Sequence, residues 1–469
     1  MPALSDDVLY LPVTELARRI RLKQLSPVKL TENYLERSRT IGAKLNAYTM
    51  LTPDLAMEQA HTAEKEIAAG KYRGPLHGIP YAAKDLLAVK GYPTTWGARP
   101  YAQQTFDYDA TVIRKLENAG AILIGKAAMI ELAGGLGYRY ASASGSGAVK
   151  NPWNQDYWTC GSSSGSGAIV SAGLAAFAIG TETWGSILCP SGFCGISGLR
   201  PTYGRVSRGG AMALSYSMDK IGPMARSADD CDLILKVIAG HDRDDAGSLP
   251  ESLAKYAGAG EPMRPLKIGW IANQWKEIAP DVNKNTMAAR EVLEKNKAFQ
   301  LSTITLPEGP WEIAAGTIVS VEGAAAFRDL IQSGRVADLN DPLGKIGGYM
   351  NEAISASDFM TAQRVRRIIQ KKMDEIFTRV DLLATASLPV TASKLDANLD
   401  DALTFADPIG GIGNICGLPA ISIPCGLGKN DLPTGIQFLA RPLDDAKVVQ
   451  AARIFQRQTD WHKRRPKLS

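Results

Sequence analysis

Histidine is scarce in this sequence: four residues in 469, at positions 61, 77, 241 and 462. The six cysteines (160, 189, 194, 231, 416 and 425) include no C-x-x-C pair and no Cys/His group at zinc spacing, so no metal centre is expected. Their expected state is reduced, mostly buried thiols in a cytosolic protein. No G-x-x-x-x-G-K-S/T loop is present, which removes the usual signal for nucleotide phosphate chemistry. The longest apolar stretch, near residues 168–180, is too short to span a bilayer. The opening "MPALSDDVLYLPVTELARRI" has early acidic residues and no signal-type apolar core. Net charge is only +5, and the basic tail "HKRRPKLS" reads as a solvated end, because no second basic run supports nucleic-acid binding. These absences point to a soluble, cytoplasmic protein without cofactor, metal, nucleic acid or membrane partner.

What is present is an ordinary globular composition, 45% hydrophobic and 22% charged. The first 70 residues are expected to be helical. Leu11, Leu16 and Ile20 share one helical face, Ser26 caps a helix with Pro27 in its first turn, and a third helix stops at Gly70. From residue 74 short apolar strands alternate with helices, which predicts an α/β fold, a large mixed sheet covered by helices on both faces. Residues 168–179 are apolar on every side and read as a buried helix. "PLKIGWIA", "VDLLATASLP" and "LPAISIPCG" read as strands, 280–380 as mostly helical, and "DDAKVVQAARIFQRQT" as the last helix.

Two motif matches carry little. "SPVK", Ser26 to Lys29, fits S-x-x-K but is better explained as a helix start, with no supporting S-D-N or K-T-G element. "GSSSG", Gly161 to Gly165, fits G-x-S-x-G with Ser163 central, yet only His241 and His462 follow it, and neither has a setting that suits a Ser-His-Asp hydrolase. Three other stretches matter more. "GIPYAAKD" places Lys84 after an apolar strand: it is either an ordinary strand-end lysine reaching solvent or a buried amine whose lowered pKa leaves it able to accept a proton. "CGSSSGSG" is a Ser-rich loop with linker-like composition but an apolar run directly behind it. "GTETWGSILCPSGFCGISGLRPT" places Ser186 in a tight turn.

Together these stretches resemble the amidase signature enzymes, whose pattern runs "GIPxxxKD", "GGSSGGS" and "GTDxGGSIRxPA…G…GLKPT". The resemblance extends along most of the chain, through "GKAAMIELAGG", "KNPWN", "GPMARSADDCDLIL" and "NICGLPAISIPCGLGKNDLPTGIQFLA". It implies an amidase signature fold filling residues 1–469 as one domain. Within it fall N-terminal helices (1–70), a signature core (71–240), a variable substrate region (241–400) and a returning C-terminal part (401–469). It also implies a Ser-cisSer-Lys triad of Lys84, Ser162 and Ser186, with a cis peptide before Ser162. The backbone N–H groups of Thr183, Trp184, Gly185 and Ser186 then form an oxyanion hole.

Three positions depart from the pattern. Glu182 replaces the usual Asp, Trp184 replaces the first Gly of "GGS", and Leu188 replaces Arg, so an Asp–Arg contact is missing. Compensated packing is expected for Glu182 and Leu188. Trp184 either does the same or forms a site wall. With Leu188 and Gly161, Trp184 is a candidate substrate contact. Glu131 is read as structural.

The expected activity is cleavage of a linear amide C–N bond through an acyl-enzyme. The substrate is expected to be small and uncharged or partly apolar, with esters and carbamates as related substrates. The alternatives are the glutaminase (A) subunit of a glutamyl-tRNA amidotransferase, or a non-catalytic protein on this fold. Self-association as a homodimer is left open.

Overall fold

The computed structural model describes residues 4–468. Eleven strands form one mixed sheet: β1 (Tyr48–Leu51), β2 (Pro80–Lys84), β3 (Ile122–Ala127), β6 (Phe177–Glu182), β7 (Ser197–Arg200), β8 (Lys220–Ala225), β9 (Leu266–Ile271), β10 (Phe299–Ile304), β11 (Leu382–Ala386), β12 (Ala420–Leu427) and β13 (Pro433–Ala440). Strands β4 (Lys150–Asn151) and β5 (Asn154–Trp158) pair separately. The spatial order is β1-β3-β2-β6-β8-β7-β12-β13-β11-β9-β10. Pairing is parallel at β3–β2–β6 and at β11–β9–β10 and antiparallel elsewhere.

The parallel strands explain the texture of the sequence. Such strands are covered on both faces, so they read as continuous apolar runs rather than alternating ones. Every residue of β2, β3 and β6 is buried, including the lysine that ends β2.

The same rule corrects the reading of 168–179. The helix is Ser164–Ser171, and Phe177 onward is β6. Gly173, at φ +63°, lies in the turn that separates them. A run apolar on all sides does not reveal which of the two it is. The strands β1, β10 and β13 were not anticipated either. β10 is an edge strand with exposed positions, and β13 carries a Pro, a Gly and a buried Gln. The N-terminal helices stand as expected: Ser26 Oγ accepts the Lys29 N–H at 3.1 Å, with Pro27 in the first turn.

Strands β2 and β6 lie side by side and parallel, in register Ala83 with Ile179. Their C-terminal ends therefore emerge together. That juxtaposition puts Lys84 beside Thr181 and close to the turn after Glu182. Among the described residues no helix is long and apolar enough to cross a membrane.

Candidate active site

The Ser-rich loop docks on this strand end through close backbone approach. A Cβ on Gly165 would lie 2.3 Å from the Ala47 carbonyl oxygen and 2.5 Å from the Ala128 nitrogen, so only glycine fits. The Gly161–Ser162 peptide is cis. Ser163 Oγ donates to the Thr181 carbonyl (3.1 Å) and accepts the Thr181 N–H (3.3 Å), and Ser166 Oγ donates to the Ile179 carbonyl (3.2 Å). Ser163, centre of the misleading G-x-S-x-G match, is thus engaged with β6. Ser164 Oγ has no hydrogen-bond partner among the described residues.

Ser162 is left facing the chemistry. Lys84 Nζ lies 2.7 Å from Ser162 Oγ, 2.9 Å from Thr181 Oγ1 and 3.5 Å from the Thr181 carbonyl oxygen. Ser162 Oγ and Ser186 Oγ lie 3.0 Å apart, within hydrogen-bond distance. Three side chains far apart in sequence form one unbroken chain of polar contacts. Lys84 is fully buried, and burial holds its amine down at about 7, although the Asp219 and Glu182 carboxylates pull the other way. A neutral amine has two N–H donors and one lone pair. Thr181 supplies two acceptors, so the lone pair is left for the Ser162 hydroxyl. Thr181 was not singled out in the sequence. Its signal was its place in "GTETWGS", directly across from the end of "GIPYAAK".

The turn after β6 carries the candidate oxyanion donors. Gly185 takes the positive φ (+77°) that the turn requires, so Trp184 escapes that strain. The backbone N–H groups of Trp184, Gly185 and Ser186 make no hydrogen bond to another described residue. A cavity of about 220 Å³ lies against Thr181, Thr183, Asp219 and Lys220.

Compensation for the unusual turn residues is visible. Glu182 is fully buried. Its Oε2 accepts the N–H groups of Ile187 (2.9 Å) and Leu188 (3.0 Å), and its Oε1 accepts from Arg200 Nη1 at 2.6 Å. Burial pushes this carboxyl up, but the Arg200 and Lys220 charges together with the Arg200 and Leu188 hydrogen bonds hold it below the ordinary range. The missing arginine contact is therefore replaced by Arg200, which stands at the lysine position of "GLKPT". Leu188 instead joins an apolar cluster with Ile409 and Ile412, against which Trp184 packs. Trp184 Nε1 donates to Asp407 Oδ2 at 3.0 Å. Gly161 lies where a Cβ would sit 2.6 Å from Ile130 Cγ1, a packing constraint. Glu131 accepts the Asn340 N–H at 2.9 and 3.0 Å, in keeping with its structural reading.

The expectation for the cysteines fails. Cys160 and Cys189 are not separate thiols but a disulfide, while the other four cysteines are free and buried. The pair lies 29 residues apart, without short spacing to betray it. The Ser162–Ser186 contact brings it together, because Cys160 stands two residues before one serine and Cys189 three after the other. The inference of a reducing compartment from the cysteines loses its ground.

Two stability outcomes follow. Glu182→Ala strands the buried Arg200 charge and two N–H donors. Urea unfolding should show a loss of about 3–5 kcal/mol, as for other broken buried pairs. Replacing both Cys160 and Cys189 by serine removes a closed loop of 29 residues, and the same measurement should show a loss of about 3–4 kcal/mol.

Comparison with known proteins agrees with this architecture. The family model described as Amidase matches residues 29–449. The chain is 35% identical over 494 aligned positions to the A subunit of glutamyl-tRNA(Gln) amidotransferase from Acinetobacter baumannii, covering 99% of each. Among solved structures, the peptide amidase of Stenotrophomonas maltophilia superposes with a TM-score of 0.81 at 27% identity, covering 96% of each chain. The A subunit of glutamyl-tRNA(Gln) amidotransferase from Thermotoga maritima superposes with a TM-score of 0.79 at 27% identity, covering 98% of this chain and 97% of that one. With the family model matching most of its length and a relative 35% identical end to end, the chain belongs to the amidase family.

Proposed function

We propose that the protein hydrolyses an amide C–N bond, with Ser186 as nucleophile, Ser162 as proton bridge and Lys84 as base. The observation that carries this reading is the continuous contact from Lys84 Nζ through Ser162 Oγ to Ser186 Oγ, at 2.7 and 3.0 Å. Neutral Lys84 takes the Ser162 proton as Ser162 takes that of Ser186, and Ser186 Oγ bonds to the carbonyl carbon. The carbonyl oxygen becomes an oxyanion facing the N–H groups of Thr183, Trp184, Gly185 and Ser186. The relay then runs backward: Ser162 hands a proton to the amine nitrogen as the C–N bond breaks, and Lys84 reprotonates Ser162. Water repeats the sequence on the acyl-enzyme and releases the acid. Histidine is not needed, since a desolvated lysine does its work.

Two substrate readings remain, and different observations favour them. A free-standing amidase acting on a small, uncharged or partly apolar amide is favoured by the turn: Leu188 is apolar, and the Trp184 indole N–H is already engaged by Asp407. The glutaminase (A) subunit of a glutamyl-tRNA amidotransferase is favoured by the curated relatives, which match end to end at 35% identity. The comparisons support this second reading better than the first.

Ser186→Ala should lower amide hydrolysis by at least about 1000-fold, and a variant as active as the parent sinks the nucleophile assignment. The reaction needs uncharged Lys84, whose amine sits at about 7. A pH profile of kcat/KM should therefore fall about tenfold per unit below that value and level off above it. Ammonia release from glutamine, and from a panel of simple amides, separates the substrate readings. Turnover of simple amides by the isolated chain favours the amidase. Turnover confined to glutamine and dependent on added partner proteins favours the amidotransferase.

A further inference from the structure

The oxyanion turn is held at two points. Glu182 accepts the N–H groups after Ser186, on its far side. On its near side, Thr183 Oγ1 donates to Asp219 Oδ1 at 2.5 Å. Asp219 stands immediately before β8, which pairs antiparallel with β6 so that Lys220 faces Glu182. Its other oxygen, Oδ2, accepts the N–H groups of Leu214 (2.8 Å) and Ser215 (2.9 Å). The carboxylate therefore ties the turn to the loop 214–219.

That loop is in turn bound by two helices of the variable region. From the helix Trp311–Ala326, Glu322 accepts the Ser215 hydroxyl and the Ser217 N–H (3.0 Å). From the helix Ala356–Phe377, Arg366 donates to Ser217 Oγ (2.8 Å) and to the Ser217 carbonyl (2.9 Å). Arg366 also donates to the Ile415 carbonyl at 2.6 Å, at the end of the helix Pro408–Ile415. Hydrogen bonds thus run without a break from these helices to Thr183.

We propose that Asp219 is a positioning residue for the oxyanion turn. It holds Thr183 by its hydroxyl so that the turn's N–H groups meet the developing charge, and it fixes the turn relative to the helices of the substrate region. This rests on the reading of Ser186 as nucleophile. The geometric demand is strict, because a donor displaced from the oxyanion loses most of its effect.

Charge alone does not explain the arrangement. The groups acting on Lys84 are the Asp219 and Glu182 carboxylates, and both favour its ammonium form, the form that cannot act as base. Arg200 is paired to Glu182, burial pushes the Lys220 amine well down, and burial pushes the Asp219 carboxyl up against the Thr183, Leu214 and Ser215 hydrogen bonds. An acid at position 219 therefore works against the base while it supports the turn. The two effects have opposite signs and separate in experiment.

Four variants test this: Thr183→Val, Thr183→Ser, Asp219→Asn and Thr183→Val/Asp219→Asn, each checked for its melting temperature. The probes are the simple amides above and a fluorophosphonate that forms a bond to the Ser186 oxygen and expels fluoride. Thr183→Val keeps side-chain shape and charge and loses only the hydroxyl. It should lower kcat and the phosphonylation rate about 10- to 100-fold with KM within about threefold, somewhat less than outright loss of a donor. Thr183→Ser restores the hydroxyl and should recover most of the rate. Asp219→Asn should lower kcat similarly and move the acid limb of kcat/KM to lower pH, a shift absent from Thr183→Val. The double variant should be no slower than the worse single one. Unchanged rates in Thr183→Val, or losses that multiply in the double variant, overturn the proposal while an active parent keeps the nucleophile assignment. A parent inert to both probes overturns both.

Discussion

The structure is organised around a fully buried lysine. An ammonium in that position is costly, so burial lowers the amine to about 7, and its hydrogen-bonding groups need partners. Both conditions depend on neighbours distant in sequence. Thr181 comes from the strand beside Lys84, and Ser162 from a loop that must approach two backbones closely enough to exclude any Cβ at Gly165. The parallel β3–β2–β6 arrangement brings those strand ends to one place and removes them from water. Small residues in "CGSSSGSG" are thus a packing requirement rather than a sign of flexibility.

Much of this was readable because the chemistry is carried by short, ordered motifs. Lys84, Ser162 and Ser186 each sit in a turn or strand end with a local signature, and the resemblance to the amidase signature pattern singled out Ser162 among its neighbours. The missed features depend on contacts that no local pattern encodes. Residues 168–179 looked helical because a continuous apolar run is shared by buried helices and buried strands. The disulfide joins residues 29 apart that only the serine–serine contact brings together. Arg200, Asp219 and Asp407 were invisible as site residues, since each supports the turn from another element.

The unusual turn clarifies how charge is distributed about Ser186, the proposed nucleophile. Glu182 has a longer side chain than the expected Asp, and it reaches both the Ile187 and Leu188 N–H groups and Arg200 on β7. The cation has moved from the turn to the sheet, fully buried and committed to its partner. Leu188 fills the vacated position and extends the apolar cluster toward Ile409 and Ile412. Trp184, without a glycine's freedom, leaves the positive φ to Gly185 and directs its indole N–H at Asp407.

These exchanges bear on substrate charge. With Leu188 in place of arginine the turn 182–188 carries no cation, and Arg200 is paired to Glu182 and donates to the Leu418 carbonyl. An anionic group on the substrate, such as the α-carboxylate of glutamine, must find its cation on an element other than this turn. Among the described residues, the side-chain hydrogen bonds of Lys84 and Ser162 involve neither Trp184 nor Leu188. The proposed proton relay and the apolar wall at Trp184 and Leu188 are therefore built from separate contacts, and the reading of substrate charge does not bear on the reading of the relay.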